Sequence, residues 1–389
     1  MKTLKESLLD DIDDTLKQGD NGLKEIVKEF LKDNYNRASY FKISRKPNAD
    51  GLYEVTYPSI LIPKDDSITK LTNDLFIFTE VYGANLSHCS SLTSLKGLPK
   101  SLKGPLFLHS CKSLTTLEDC PKSIVGDFSC YACTNLKSLV GCPQDAINFC
   151  CGGCNNLTTL EGCPTAVRDF ECYDCNGLTS LKGGPKIVRN DYECHACTNL
   201  KSLEGGPETV GNNFNCRNCP NLESLKGGPK KVGNYFLCEN NYSLKSLEGG
   251  PETVGNVYSI LECRNLTSLK GIAKTIKGIL NCSGCSSLVS LEGCPKTIGF
   301  GIGFDMKTKG VIPGMSLSRC TNLASLKGCP ERVNGNFYIN NCTNLTSLDY
   351  CPELVTGMFE CYGCGREFTQ DEVAFLCNVK SGIIKTSRY

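Results

Sequence analysis

The stretch F-S-C-Y-A-C-T-N-L-K-S-L, residues 128–139, is one copy of a motif that recurs through most of this chain. The repeated pattern is C-x-x-L-x-S-L-x-G-x-P-x-x-V followed by F-x-C. Its first leucine occurs twelve times from Leu92 to Leu345, and ten of the eleven spacings are 21 or 22 residues, the other being 35. A fixed period of this length indicates a solenoid, because one such unit cannot bury its apolar face alone and neighbours must stack.

Composition narrows the possible partners. The 42 lysines and arginines balance 41 aspartates and glutamates, giving a net charge of +1. We therefore expect neither a nucleic acid partner nor attachment to an anionic membrane. No apolar run approaches the roughly 20 residues that span a bilayer, and the charged opening residues lack a signal peptide's apolar stretch. We expect a cytoplasmic protein of the producing or infected cell, in which the 28 cysteines stay reduced.

The N-terminal region predicts two amphipathic helices and a hairpin. Residues 3–18 carry an apolar residue every fourth position and begin with an S/T-x-x-E capping box. A second apolar face runs over 23–31, and two strand-like runs flank the Pro-Asn-Ala-Asp-Gly turn at 47–51. We expect residues 1–75 to form a capping region, because the end repeat of a solenoid needs a cover.

The repeats define the central domain, residues 76–365, with about 12–13 rungs and an insertion near 299–314. Each repeat predicts one short parallel strand, followed by a return too rich in Gly and Pro to be helical. A second capping box precedes an apolar stripe in residues 366–389, which predicts a capping helix of about ten residues and a tail.

The repeat resembles the leucine-rich repeat consensus L-x-x-L-x-L-x-x-N/C-x-L. Phe128 and Cys130 match its inward strand positions, and Cys133 matches its Asn/Cys position. The S-L-x-x-L-P form at 94–99 is similar to the short repeats of secreted bacterial effectors, and the opening residues resemble proteins of large gut bacteriophages and their hosts. The resemblance implies a mainly β fold with α-helical caps, an α/β solenoid of short parallel strands with irregular convex returns.

Seven C-x-x-C pairs have spacings that formally fit zinc ribbons. The repeats argue against a metal site. Five rungs place Leu or Ile at the first cysteine position, as at Leu108 and Ile260, and these side chains cannot ligate a metal. Asn241 replaces the second cysteine, at a position where side chains bond to neighbouring backbone. We expect these cysteines to pack in the core as small hydrophobes, with no metal and no cofactor.

Disulfides remain an alternative, since stacked strands lie about 4.8 Å apart and distance alone does not exclude them. Cys150 differs from the other cysteines because it adjoins Cys151 at a position expected to face outward. We therefore predict that Cys150 is a reactive thiol.

The residue after the second leucine of each repeat alternates in charge. From Glu161 onward it is Glu or Asp in one repeat and Lys in the next. Stacking would place each cation beside an anion, which predicts a ladder of ion pairs that fixes the register. Each exposed pair contributes only about 0–1 kcal/mol.

The outward strand positions vary between repeats while the inward frame does not. Between residues 131 and 239 they are rich in Tyr, Glu, His and Arg, types that suit protein interfaces. The alternative is a solvated strand face without a ligand. The candidate binding residues are Tyr131, Glu171, Tyr173, Glu193, His195, Asn215, Arg217 and Glu239.

These observations predict a non-enzymatic scaffold that binds a protein partner on its concave strand face. Two of the three histidines lie near rung cysteines, but neither has an evident third catalytic residue. Two alternatives stay open: a metal- or redox-responsive cysteine protein, and a structural or adhesive component of a phage particle or cell surface.

Overall fold

The computed structural model describes residues 20–299 and 314–387. The chain divides into two compact units, residues 1–167 and 168–389. The helix expected over residues 3–18 and nearly all of the insertion expected near 299–314 lie outside the described residues.

The fold is a parallel β-solenoid of about 14 turns with about 22 residues in each turn. It is mainly β. Within residues 20–299 and 314–387, α-helix is limited to α1 (Asp20–Asn34) and α2 (Gln370–Leu376).

The described part of the first unit begins with α1, which confirms the second predicted helix, and a 3-10 turn at Ala38–Tyr40. Its strands are β1 (Lys42–Ile43), β2 (Tyr53–Leu61), β3 (Phe76–Asn85), β4 (Ser101–Leu102), β5 (Leu106–Phe107), β6 (Ser123–Ile124), β7 (Phe128–Ser129), β8 (Asn148–Cys150) and β9 (Ala166–Val167). The predicted hairpin forms between β1 and β2, the antiparallel pair, and its turn is held by Asn48 Oδ1, which accepts the Leu52 N–H at 3.1 Å. From β2 to β8 the main sheet is parallel in the order β2-β3-β5-β7-β8.

The second unit repeats one arrangement with little variation. Its strands are β10 (Asp169–Glu171), β11 (Ile187–Val188), β12 (Tyr192–Glu193), β13 (Thr209–Val210), β14 (Phe214–Asn215), β15 (Lys231–Val232), β16 (Phe236–Leu237), β17 (Thr253–Val254), β18 (Val257–Ser259), β19 (Thr275–Ile276), β20 (Ile279–Asn281), β21 (Thr297–Ile298), β22 (Gly314–Ser316), β23 (Arg332–Val333), β24 (Asn336–Tyr338), β25 (Leu354–Val355), β26 (Phe359–Glu360), β27 (Asn378–Val379) and β28 (Ile384–Lys385). The even-numbered strands form its main sheet, and the odd-numbered strands form the shorter ladders.

Inward side chains stack in columns because neighbouring strands pair in register. Tyr192, Phe214 and Phe236 are register partners, with ring centroids 5.2 and 5.7 Å apart. The two leucines of each repeat continue the core, and Leu200 and Leu203 are 0% exposed. Repeated aromatic and leucine burial of this kind is the main stabilising contribution of a solenoid, whose rungs contact only their neighbours.

The cysteines of the second motif position form a ladder of thiol hydrogen bonds inside the core. Cys197 Sγ donates to the Cys172 carbonyl of the preceding rung at 3.2 Å. Burial raises the pKa of the Cys197 thiol well above its ordinary value, so the sulfur stays protonated as a donor. Asn241 takes the same place, donating from Nδ2 to the Cys216 carbonyl at 3.1 Å. All 28 cysteines are free thiols in this structure.

The expectation of one strand per repeat is wrong, because most repeats contribute two. The P-x-x-V segment forms a second, two-residue strand, with Val188 paired to Val210 and Val210 to Val232. These valines are buried at 1–2% exposure. The preceding proline favours extended backbone, and a β-branched residue packs well on a pleated surface, which explains the second ladder.

The expected helical caps are also absent from the described residues. In the first unit the edge strand of the main sheet is β1. The helix α1 packs against this sheet, and the ring centroids of Phe30 in α1 and Phe76 in β3 lie 5.5 Å apart. In the second unit α2 has its predicted capping box but is only seven residues long, and Phe375 is 89% exposed. The strands β27 and β28 extend both ladders beyond it, because strand edges satisfy the backbone groups of the last rung more completely than a helix does.

Candidate binding face

In each repeat, two side chains at the main-sheet strand point away from the core, one before and one after the inward residue at the position of the first motif cysteine. We call these outward residues the strand face. In the second unit they are Glu171, Tyr173, Glu193, His195, Asn215, Arg217, Leu237, Glu239, Ser259, Leu261, Asn281, Ser283, Ser316, Ser318, Tyr338, Asn340, Glu360 and Tyr362. Glu171, Glu193 and Asn215 are successive register partners, so the strand face consists of aligned columns.

Glu193 is the centre of a hydrogen-bonded cluster. Its Oε2 lies 3.0 Å from His195 Nδ1 and accepts a bond from Asn215 Nδ2 at 2.6 Å. Asn215 Oδ1 accepts the Arg217 backbone N–H at 3.3 Å. Asn215 is only 3% exposed, whereas the Glu193 and His195 side chains are 26% and 29% exposed. Asn215 therefore supports the cluster from below, and Glu193 and His195 present it to solvent.

Tyr173 fixes the plane of the His195 ring. The two rings stack with centroids 5.0 Å apart and an interplanar angle of 10°. The imidazole is thus held on one face by Tyr173 and at Nδ1 by Glu193. Within the described part of the chain, Nε2 is the imidazole nitrogen left for a partner.

Two charged groups beside this cluster are half-buried. In residues 20–299 and 314–387 the Arg217 guanidinium forms no ion pair, and the Glu171 carboxylate accepts no hydrogen bond. Glu171 is the register partner of Glu193, so two carboxylates share one column, an arrangement that is unfavourable between strands without a compensating cation.

The strand face changes character after Glu239. Glu239 Oε1 accepts a bond from Ser259 Oγ at 2.6 Å. Further along, Ser283 Oγ and Ser316 Oγ lie 2.7 Å apart, and Ser316 Oγ donates to Ser318 Oγ at 3.3 Å. Between residues 259 and 318 the strand face carries four serines beside Leu261 and Asn281, and three of these serines, Ser283, Ser316 and Ser318, are hydrogen-bonded to one another.

Tyr131 lies on the strand face of the first unit, where it is 37% exposed. Its ring lies edge to face with that of His109, with centroids 6.2 Å apart, and the His109 and Phe107 ring centroids are 5.7 Å apart. Burial, with a smaller effect from His88, lowers the pKa of His109, so this histidine is neutral at neutral pH.

Cys150 lies where the sequence places it, as the last residue of β8 and the register partner of Ser129. It is half-buried, whereas Cys151 beside it is 0% exposed. Its reactivity stays a prediction.

Among the described residues, the neighbours Cys194 and His195 are not arranged as a Cys/His nucleophile. Cys194 lies between Glu193 and His195, but its side chain is 0% exposed in the core, so the sheet separates its thiol from the imidazole. Within residues 20–299 and 314–387 no group of three or more His, Cys, Asp or Glu side chains is placed to hold a metal ion. No helix in the same residues has the length and apolar character to cross a membrane.

Comparison with family models, with curated proteins and with solved structures finds no match. The geometry of the face therefore carries the functional argument.

The alternation along each strand predicts that these residues share one side of the sheet, but it does not predict how they contact one another. The burial of Asn215 depends on side chains about one repeat away in the chain, and no local pattern encodes it. The contact of His109 with Tyr131 was missed for the same reason, although His109 precedes Tyr131 by 22 residues, one repeat period.

Proposed function

We propose that this chain is a non-enzymatic scaffold that binds a protein partner on the strand face of residues 171–239. The observation that supports this most strongly is the ordered cluster of Tyr173, Glu193, His195 and Asn215, built from long side chains on three neighbouring rungs. Side chains already held in one arrangement lose less conformational freedom on binding, so more of the contact energy contributes to affinity.

The chemistry of the face supports specific roles. Tyr173 and Arg217 are the anchors, since Tyr and Arg are frequent among the residues that dominate binding energy. Glu171 and Glu193 supply two aligned carboxylates, and His195 offers its Nε2. Asn215 supports these side chains rather than touching the partner, because it is 3% exposed. Glu239 is a peripheral contact of this face, and Tyr131 is a separate candidate contact on the first unit.

Site-specific photo-crosslinking of the full-length protein in lysate of its native host tests the proposal. A photoreactive residue replaces Leu237, which is half-buried on the strand face, and in a matched variant it replaces Lys226, which is exposed on the return. We expect a protein adduct from position 237 and none from position 226. A partner captured only from position 226 would place the binding surface on the return.

Affinity measurements with the captured partner then test the anchors. Tyr173→Ala and Arg217→Ala should each weaken binding by more than about 1 kcal/mol, roughly fivefold in Kd, whereas Lys226→Ala leaves it unchanged. Weakening by the Lys226 change alone contradicts the assignment.

We infer, in addition, that the repeat is related to the leucine-rich repeat and that the protein is cytoplasmic. The first is supported by the Cys/Asn position, whose side chains bond to the preceding rung, and the second by the 28 free thiols. A profile built from relatives of this chain should retrieve leucine-rich repeat proteins in the same repeat phase. Fractionation of the native host should find the protein in the cytosol, and recovery from a secreted fraction contradicts the second inference.

A further inference from the structure

Two arginines and one glutamate form a cluster on the turns that follow the main-sheet strands of the second unit. Glu262 Oε2 accepts a hydrogen bond from Arg264 Nε at 3.0 Å, and Glu262 Oε1 lies 3.3 Å from Arg319 Nη2. The Glu262 side chain is 20% exposed, whereas those of Arg264 and Arg319 are 60% and 59% exposed. One carboxylate is therefore held between two guanidinium groups that are both open to solvent.

The backbone at this cluster is unusual for the residues that occupy it. Glu262 and Arg319 lie at the turn position that has positive φ in successive repeats, with φ of 60° and 64°. Several other repeats have Asn or Gly at this position, as at Asn218, Asn240 and Gly284. Asn and Gly tolerate this backbone region, whereas long side chains are disfavoured in it. The turn itself therefore does not require a glutamate or an arginine.

A glycine provides the space that the cluster occupies. Gly284 holds the same turn position in the repeat between Glu262 and Arg319, and a Cβ built on it would lie 2.4 Å from Glu262 Oε1. The Glu262 side chain thus extends across the Gly284 turn towards the rung that carries Arg319. On the preceding rung, Tyr242 supports Arg264, whose guanidinium carbon lies 5.3 Å from the centroid of the tyrosine ring.

The ion pairs of this cluster are not explained by the stability of the fold. Solvent and salt screen pairs between exposed side chains, so each pair adds little to the free energy of unfolding. Such pairs do not offset the placement of two long side chains in a disfavoured backbone region. An unfavourable conformation that stability does not explain is typical of a functional site.

The net charge of the cluster indicates which ligand it would bind. Two cations and one anion leave one positive charge, and in the described parts of the chain Arg264 and Arg319 pair with no carboxylate other than that of Glu262. Glu239, one rung earlier on the strand face, accepts the Ser259 hydroxyl instead, at 2.6 Å. One carboxylate from a ligand would neutralise the surplus charge, whereas a phosphate dianion would leave negative charge beside Glu262. Guanidinium groups also match the geometry of a carboxylate.

We propose that Arg264 and Arg319 form a binding site for an acidic peptide segment. A carboxylate of the segment binds the guanidinium donors that Glu262 leaves open, and the exposed ring of Tyr242 contacts the adjoining part of the segment. This site is separate from the binding surface proposed at residues 171–239 and does not depend on it.

An NMR titration of the full-length protein with isotope-labelled arginine tests this site. The probe is hexaglutamate, the uncharged control is hexaglutamine, and the ionic strength is low so that exposed charges are weakly screened. The arginine Nε–H signals, each assigned from the variant that lacks it, report binding at individual side chains. We expect hexaglutamate to shift the Arg264 and Arg319 signals to saturation and hexaglutamine to leave both unchanged.

Substitutions distinguish a ligand site from an internal ion pair. Arg264→Gln and Arg319→Gln should each weaken hexaglutamate binding by at least about threefold, because each removes one charged contact. Glu262→Gln should strengthen binding, because it removes the anion that competes for the same donors. Arg168→Gln is the matched control and should leave binding unchanged, since Arg168 is 58% exposed and pairs with the single carboxylate of Asp169 at 2.9 Å.

Several outcomes would overturn the proposal. Unchanged Arg264 and Arg319 signals would show that the cluster binds no acidic segment, and equal shifts at Arg168 would show unspecific attraction of the probe. Shifts at Arg217 alone would place the acidic segment on the strand face instead. Weaker or unaltered binding by Glu262→Gln would make the cluster a purely internal contact. Inorganic phosphate is titrated separately, and its saturation at lower concentration than hexaglutamate would show a phosphate site rather than a carboxylate site.

Discussion

Two stretches of the same strand face, residues 171–239 and residues 259–318, use one backbone for different surfaces. In both stretches the inner aromatic or aliphatic residues pair in register, as Tyr192 does with Phe214 and Tyr258 with Leu280. The outward side chains differ: the first stretch carries the Glu193–His195–Asn215 cluster, and the second carries the linked serines Ser283 and Ser316.

The two stretches show that the fold constrains the inward side chains but not the outward ones. The rung accepts Glu, Asn or Ser at one outward position without a change of register, so these side chains are not selected by folding. The inner columns keep apolar or thiol side chains, and where the polar Asn241 enters one of them its amide is hydrogen-bonded to the neighbouring backbone. Substitutions in the shared inner columns should therefore affect stability in both stretches, whereas substitutions on the outward surface should affect only the stretch that carries them.

The largest loss of stability is expected in the column formed by the first cysteine of each C-x-x-C motif. Cys194 is 0% exposed, and the same position is Ile260 in the second stretch. Cys194→Val should change the free energy of unfolding by less than about 1.5 kcal/mol, since it keeps an apolar side chain of similar size. Cys194→Asp should cost about 3–5 kcal/mol, because it leaves an uncompensated charge in the core. Urea denaturation measures both, and similar midpoint shifts for the two variants would show that the site is not in the core.

The next largest loss of stability is expected in the column formed by the second cysteine of each C-x-x-C motif, where one repeat has Asn241. Asn241 Nδ2 donates to the Cys216 carbonyl at 3.1 Å, and its Oδ1 accepts the Cys219 N–H at 2.8 Å. Asn241→Leu leaves a buried donor and a buried acceptor unpaired, each at about 1–3 kcal/mol. Asn241→Cys should cost less, because a thiol in this column donates to the preceding rung, as Cys263 Sγ does to the Cys238 carbonyl. The order of the two urea midpoints checks this, and a cysteine variant no more stable than the leucine variant would argue against the thiol ladder.

Much of this frame could be predicted from the sequence, because each inner position is sampled many times. Leu108, Cys130 and Ile260 occupy one motif position, and all are 0% exposed. Their interchange indicates a buried apolar site without any structure. The exchange of Asn241 with cysteine likewise predicted a bond to neighbouring backbone.

The second ladder, the end of the solenoid and the strand-face contacts depend on interactions between repeats that local sequence patterns do not encode. The second ladder rests on pairs such as Thr209–Val210, which are too short to show a period of two. The end of the solenoid depends on the pairing of β27 with β25, a choice between a strand edge and a helix that only three-dimensional packing decides. On the strand face, the supporting position of Asn215 arises from its bond to Glu193, one repeat earlier.

A matched pair of asparagines measures the ordered cluster itself. Asn215 and Asn281 both accept, through Oδ1, the backbone N–H two residues later, at 3.3 and 3.1 Å. Only Asn215 also donates to a carboxylate, that of Glu193, at 2.6 Å. Asn215→Ala should therefore destabilise the protein by about 1 kcal/mol more than Asn281→Ala, since hydrogen bonds to charged groups are stronger than neutral ones. Equal thermal shifts for the two variants would show that the cluster is not held together by this bond.

The smallest effect on stability is expected from the Lys–Glu pairs on the returns, which should contribute equally little in the two stretches. Lys182 Nζ lies 3.4 Å from Glu204 in the first stretch, and Lys270 Nζ lies 3.7 Å from Glu248 beside the second. All four side chains are more than half exposed, so solvent and salt screen each pair.

Double-mutant cycles with alanine should give a coupling energy below about 0.5 kcal/mol for either pair, decreasing further at high salt. The alternation of sign is then a register device: it opposes like charges if the stack slips by one repeat, while each pair adds little in the native register. A coupling energy above about 1 kcal/mol in the first stretch alone would contradict this expectation. It would mean that the charged side chains of those returns are as well ordered as those of the strand face, and the returns would then be an alternative binding surface.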